Sequence, residues 1–391
     1  MNKIYLDYAA ATPLNKNVAA AMSQYGSEIF GNPSSLHSFG QASSAAVFNA
    51  RQKIATALCC DYKEIIFTAS ATEANNLVIR GAIKAFSVQR SAFSKTQPRI
   101  IISSIEHESI NETCRDLERD GVEVARIPVS KEGFVDLAKL EAALNENTIL
   151  VSIIYANNEI GVVQDIPKIF NIIKNFRELS KSVHPLFHID ATQAFQYLPC
   201  KVDELGVDLM TLSAHKIYGP KGIGLLYTRK STNLSSIITG ANQERGLRAG
   251  TENVPAIVGF GAAVEITEKI RAKESARILK LRNYFWEKLK SSIPNLELNN
   301  ALEVRLPNIL NIYFPQIKAH DLLIALDMKG IAASSGSACQ ARLAEPSSII
   351  LSLGHDEKRS ASSIRFSLGR QTTKKDLDKT VAILKNIILA L

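Results

Sequence analysis

The segment 148–155 (TILVSIIY) constrains this chain more than any other, because it is apolar almost without interruption. A strand with no polar alternation has both faces covered, the setting of a parallel sheet packed between helices. The neighbouring sequence keeps the same rhythm. Strands are predicted at 64–68, 99–103, 122–129, 186–190, 207–212 and 222–228, with helical periodicity at 38–58, 74–86, from Ser109, at 135–144 and at 166–179. Such alternation means βαβ units and an α/β fold built on a mostly parallel sheet. A long helical stretch at about 254–290 then leads into shorter strands (309–314, 331–334, 363–367) and helices (320–327, 374–390), which read as a second, smaller α/β unit. At 391 residues the chain exceeds what one core usually organises, which also argues for two domains.

Charge and cysteine content narrow the function classes. The formal net charge is +8, yet basic and acidic residues are interleaved, as in Arg115-Asp116-Leu117-Glu118-Arg119-Asp120. That pattern excludes a dedicated nucleic-acid surface and leaves a mild attraction for anionic ligands. Five cysteines without regular spacing argue against a disulfide framework or a zinc site, and Cys59-Cys60 after a helical run reads as a pair of buried structural thiols. No signal-peptide core and no 18-residue apolar run is present, so a cytoplasmic protein without a membrane partner is expected. The polar segment 87–98 reads as a surface insertion.

The chemistry gathers at the predicted strand ends, where open α/β sheets bind ligands. The first strand runs into Ser70-Ala71-Thr72-Glu73, an S-x-x-E capping-box spacing that opens a helix and offers backbone N–H groups to an anion. His107, Asn158, Asp190 with Gln193, and Ser213 with His215 and Lys216 stand at the ends of four others. Taken singly, each has a plain alternative: an ordinary helix cap, a capping aspartate, a surface lysine. Taken together they suit one task. A desolvated lysine forms a Schiff base, an aspartate pairs with a pyridinium nitrogen, a capped helix with serine and histidine holds a phosphate, and a histidine stacks and moves protons. That set describes a pyridoxal-phosphate pocket.

These residues fall within long motifs: 5–13 (YLDYAAATP), 31–35 (GNPSS), 71–76 (ATEANN), Glu106-His107, 157–161 (NNEIG), 190–193 (DATQ), 213–222 (SAHKIYGPKG) and 363–370 (SIRFSLGR). In them the chain resembles the NifS/IscS-type cysteine desulfurases of the class V aminotransferase family, over nearly its whole length. The resemblance implies the pyridoxal-phosphate-dependent transferase fold type I. It would have a large domain at 13–258 around a seven-stranded sheet, and a small domain from 1–12 and 259–391. It also implies a homodimer in which Lys216 holds the cofactor, Asp190 pairs with its ring nitrogen, and Asn158 and Gln193 reach its ring oxygen. Ala71, Thr72, Ser213 and His215 would hold the phosphate, joined by Thr251 of the other subunit, while His107 stacks on the ring as acid and base. Arg365, with Asn158, would bind the substrate carboxylate, a task suited to a forked guanidinium.

One further stretch, 334–342 (SSGSACQAR), sets Cys339 among Gly, Ser and Ala, residues that make a poor core and suit an exposed loop. In the family this thiol is the persulfide-forming nucleophile, and the loop of about 334–345 has the longer IscS/NifS form. The implied reaction removes sulfur from L-cysteine, releases L-alanine and leaves a persulfide on Cys339. The sulfur would pass to an acceptor such as an iron–sulfur scaffold or a tRNA-thiolation protein. No intrinsic metal is expected, although Cys339 could transiently ligate a cluster with a scaffold. Ser70 and Ala214 stand where the family usually has glycine, and Ala241-Asn242-Gln243 replaces a glycine-rich run. The stretch after Arg370 is short, which leaves the docking partner open. Selenocysteine lyase or another class V activity keeps the same fold; a silent sulfur-carrier or assembly subunit would be expected to lack Lys216 or Cys339.

Overall fold

A computed structural model of the protein describes residues 3–89, 97–301, 303, 305–315, 317–336 and 346–389. Seven strands form the central sheet, in the spatial order Ile65–Thr68, Gly224–Thr228, Leu209–Ser213, Leu186–Asp190, Thr148–Ile154, Arg99–Ser103 and Glu123–Ile127. Only Gly224–Thr228 runs against the rest: it pairs antiparallel with both neighbours, and the other pairs are parallel. The carboxyl ends of the remaining six strands therefore lie along one edge of the sheet.

Alternate residues of each strand explain the unbroken apolar runs. Ile65, Phe67, Ile101, Val151, Met210, Leu212 and Tyr227 point into one core with Ile54, Ile169 and Phe260 from the helices Ser38–Leu58, Ile166–Ser180 and Val254–Ser292. Ile66, Ile100, Ile102, Leu209 and Leu226 point the other way, against Leu77 and Val78 of Ala71–Gln89 and Ile110 and Leu117 of Glu108–Arg119. A sheet covered on both faces has no position for alternating polar residues. Near the termini, Ile4–Tyr5 pairs in parallel with Ile331–Ala332, and Ile309–Tyr313 lies between Ser363–Ser367 and Glu297–Leu298 in an antiparallel three-stranded sheet.

Several local expectations need correction. Cys59 is exposed, not buried: the helix ends there, and Cys59 closes it in the left-handed conformation, φ 56°, turning its thiol to solvent. Cys60 is half-buried, and burial pushes its thiol up to about 12. The helix after Ser70 runs on to Gln89, into what was expected as a surface insertion; residues 90–96 lie outside the described residues. The capping box is displaced by one residue at its return bond. The Ser70 hydroxyl accepts from Glu73 N at 3.1 Å, but the Glu73 carboxylate takes the N–H of Ala69, at 2.9 Å, and its other oxygen pairs with Arg248. Gly224 explains how tightly this turn is held: a Cβ there would stand 2.5 Å from the Ser70 carbonyl carbon.

Candidate active site

A cavity of about 240 Å³ opens at the carboxyl edge of the sheet. It is lined by Ala71, Thr72, His107, Asn158, Asp190, Gln193, His215, Lys216 and Arg365, all expected from sequence, and also by Ala9, Ala10, Ser109, Ile154, Ala156 and Thr192. Five strand ends thus deliver their polar residues to one place. Ser213, the last residue of its strand, lies buried behind His215 with its hydroxyl 2.8 Å from His215 Nδ1. Thr251 is not brought there within this chain. It is exposed, and lines a separate cavity of about 130 Å³ between Phe67–Ala69 and Glu244–Asn253. Cys339 lies outside the described residues, but the flanks of its segment are placed. Ser334 pairs with Arg365 across a short bridge, and the Ser347 hydroxyl donates to the buried Glu159 carboxylate at 3.0 Å.

Lys216 follows the fully buried strand Leu209–Ser213 in a single 3-10 turn. Its Nζ donates to the carbonyls of Ala9 and Ala10, each at 2.7 Å. Two carbonyls orient the ammonium. Asp190, 5% exposed, ends the strand Leu186–Asp190. Its Oδ1 accepts from Thr192 N and its Oδ2 from Asn75 Nδ2, both at 2.9 Å, which leaves further lone pairs of an acceptor-only group. Gln193 Nε2 donates to Ala9 O at 2.8 Å. Arg365, 1% exposed, donates to Asp7 Oδ1 at 2.7 Å and to Asn158 O at 2.8 Å, and its Nε makes no hydrogen bond among the described residues. The arginine is thus both ion-paired and at the cavity wall.

Histidine protonation follows from burial. His107 caps the helix Glu108–Arg119 with Nδ1, and burial lowers its pKa against the opposing pull of Asp190, with Lys216 adding to the drop. His215 is brought down to about 4 by burial and by the charges of Lys216 and Lys221. Both rings are neutral at pH 7 and can each present one N–H. Glu106, beneath this wall, is pushed up to about 8 by burial and so carries a proton at neutral pH. Ala71 and Thr72 begin a 19-residue helix, and amides in a first turn have no intrahelical acceptor. Among the described residues, no cluster of His, Cys, Asp and Glu is arranged to hold a metal ion.

The sequence reading missed the Ala9 and Ala10 carbonyls, Asp7, Asn75 and Ser109. Main-chain acceptors carry no side-chain signal; Asn75 did have one, as a polar residue on what proves to be the buried face of a helix.

Residues 4–380 match the family model for class-V aminotransferases. The chain belongs to the class V aminotransferase family. Among relatives of this chain, the cysteine desulfurase IscS of Dictyoglomus turgidum is 43% identical over 386 residues, 99% of this chain and 94% of the relative. A solved NifS-like protein superimposes with a TM-score of 0.90 at 32% identity, over the whole of both chains. SspA in complex with cysteine matches with a TM-score of 0.76 at 33% identity, covering 94% of this chain and 99% of its own. Class V aminotransferases use pyridoxal phosphate, and the cavity suits that group on its own evidence. A buried carboxylate with spare lone pairs, a lysine held on main-chain carbonyls, a neutral histidine wall and an open helix N-terminus share one small space. Among the described residues no helix is long and apolar enough to cross a membrane.

Proposed function

We propose that this chain is a cysteine desulfurase that takes sulfur from L-cysteine and releases L-alanine. The observation that carries the reading is the convergence of Lys216, Asp190, His107, Asn158 and Arg365 on one cavity in a chain 43% identical to a cysteine desulfurase. Bound pyridoxal phosphate supplies an electron sink that makes the substrate α-proton removable. Lys216 would hold the cofactor, and its Nζ, steered by the Ala9 and Ala10 carbonyls, would move that proton. Asp190 would pair with the ring nitrogen, Asn158 and Gln193 would reach the ring oxygen, and the Ala71–Thr72 amides with Ser213 and His215 would receive the phosphate. His107 would lie against the ring and present an N–H to the cavity. Arg365 receives the substrate carboxylate through its outward N–H groups, held in aim by Asp7 and the Asn158 carbonyl.

Cys339 is the sulfur acceptor of this scheme. Its thiolate attacks the substrate sulfur, the carbon–sulfur bond breaks, and the persulfide passes to a second protein, an iron–sulfur scaffold or a tRNA-thiolation protein. The protein acts as a cytoplasmic homodimer, with Thr251 of each subunit completing the phosphate site of the other; its exposure and distance from the chain's own cavity support that exchange. A division into 13–258 and the remainder is supported by the central sheet, which uses strands between Ile65 and Thr228 only. Selenocysteine lyase and other class V activities are not favoured, because the relatives are cysteine desulfurases. The test is incubation with L-cysteine, measuring L-alanine and persulfide on Cys339. Cys339→Ser should bind cofactor as wild type does and form no persulfide. Undiminished sulfur release by that variant sinks the assignment.

A further inference from the structure

Asn75 is completely buried, on the inner face of the helix Ala71–Gln89, where an apolar residue would be expected. Its Nδ2 donates to Asp190 Oδ2 and to Ser109 Oγ, both at 2.9 Å. An ionised carboxylate only accepts, so the amide must present its nitrogen to Asp190, and both N–H groups are used. Its Oδ1 has no partner among the described residues, a cost accepted for that orientation. Ser109 Oγ, having accepted from Asn75, still carries its own proton, and His107 Nδ1 lies 2.9 Å away. The Ser109 backbone N–H points at the same nitrogen, at 3.1 Å, and an amide N–H can only donate. Nδ1 is therefore an acceptor. The neutral ring keeps its proton on Nε2, the nitrogen left for the cavity.

We propose that Asn75 and Ser109 are positioning residues that couple Asp190 to His107, one fixing the carboxylate and the other fixing the imidazole as an Nε2–H donor. The proposal rests on the roles given above to Asp190 and His107. It assigns His107 the part of a neutral hydrogen-bond donor in its resting form, since a ring with its proton on Nε2 has no lone pair to offer the cavity. Two helices and a strand meet in this bridge, which ties the ring-nitrogen partner to the imidazole through three hydrogen bonds.

The test uses the full chain as Asn75→Ala and Ser109→Ala. Two readouts are needed: affinity for pyridoxal phosphate by titration, and the imidazole nitrogen shifts of His107 by NMR, assigned through the signal lost in His107→Gln. Asn75→Ala should bind the cofactor about tenfold or more weakly, the effect of one hydrogen bond to a charged group. Ser109→Ala keeps the Asn75–Asp190 bond, so affinity should stay within about twofold. In that variant the backbone N–H of residue 109 still donates to Nδ1, so the ring should keep its Nε2–H form while the Nδ1 shift moves towards that of a more weakly hydrogen-bonded nitrogen. Unchanged affinity in Asn75→Ala overturns the proposal, as do unchanged His107 shifts in Ser109→Ala, which also decides the matter if Asn75→Ala fails to fold. A wild-type chain that does not bind pyridoxal phosphate would instead overturn the reading of the site, and the NMR arm would still decide the bridge.

Discussion

The two edges of the central sheet each hold a cavity, and the larger one is at the edge without the chemistry. At the amino edge about 410 Å³ is enclosed by Ala82, Phe86, Arg177, His184, Asp208 and Thr232 among others. There the charges cancel: Arg177 pairs with Asp208, whose Oδ2 also accepts from Phe187 N at 2.8 Å, and Arg177 Nε donates to the Pro185 carbonyl. At the carboxyl edge Lys216 rests on carbonyls and Asp190 on neutral donors. Volume does not mark a site; charged and polar groups that converge on one space do.

The widest contrast should come from breaking each edge in turn. Lys216→Ala should lower L-alanine formation by on the order of a thousandfold or more, since anchor and proton carrier go together. Arg177→Leu takes the closer partner from half-buried Asp208, leaving Arg229 at 4.0 Å, and should lower Tm by several degrees with turnover changed less than about twofold. Equal losses of turnover in the two variants would remove the distinction between the edges. Arg365→Lys is the next largest. A lysine keeps the charge but cannot hold Asp7 and the Asn158 carbonyl while also reaching a carboxylate, so KM for cysteine should rise about ten- to a hundredfold, with kcat less affected. A fall confined to kcat would instead place the arginine's contribution in the transition state and remove it as the holder of the substrate carboxylate.

The same contrast decides what the sequence made legible. Strand ends carrying His107, Asp190 and Lys216 follow apolar runs whose direction is set by the βαβ rhythm, so their convergence could be read in advance. The reversed strand Gly224–Thr228 could not, because a hairpin return and a crossover leave the same apolar pattern. The boundary of the long helix was legible at Val254 and two residues short at Ser292. The Ala9 and Ala10 carbonyls reach Lys216, and Asp7 reaches Arg365, from the far N-terminus, more than 200 residues away, by tertiary packing that no local pattern encodes. Cys59 failed for a different reason: its residue type suggests burial, but a helix C-cap in the left-handed conformation had to face outward.

The smallest effect expected concerns acid stability, and it again separates the edges. His188 lies wholly buried under the active-site edge, between Ser152 Oγ at 2.8 Å and Thr211 Oγ1 at 3.0 Å, and burial takes it down to about 4 in spite of Asp190. His215 is lowered to about 4 as well. Between pH 4 and 6.5 the unfolded chain binds protons at these rings and the native chain does not, so the two rings make native stability rise with pH across that window, while Glu106, pushed up to about 8, works against them. Each ring accounts for up to about 3 kcal/mol, at 1.36 kcal/mol per pH unit. His188→Gln should therefore be less stable than wild type at pH 8, where its ring bonds both hydroxyls, and should lose the part of the decline between pH 6.5 and 4 that this ring contributes. Thermal melts at four or five pH values measure this. A variant with the full wild-type decline would place the acid sensitivity elsewhere, and the cluster of neutral imidazoles would cease to distinguish the active-site edge.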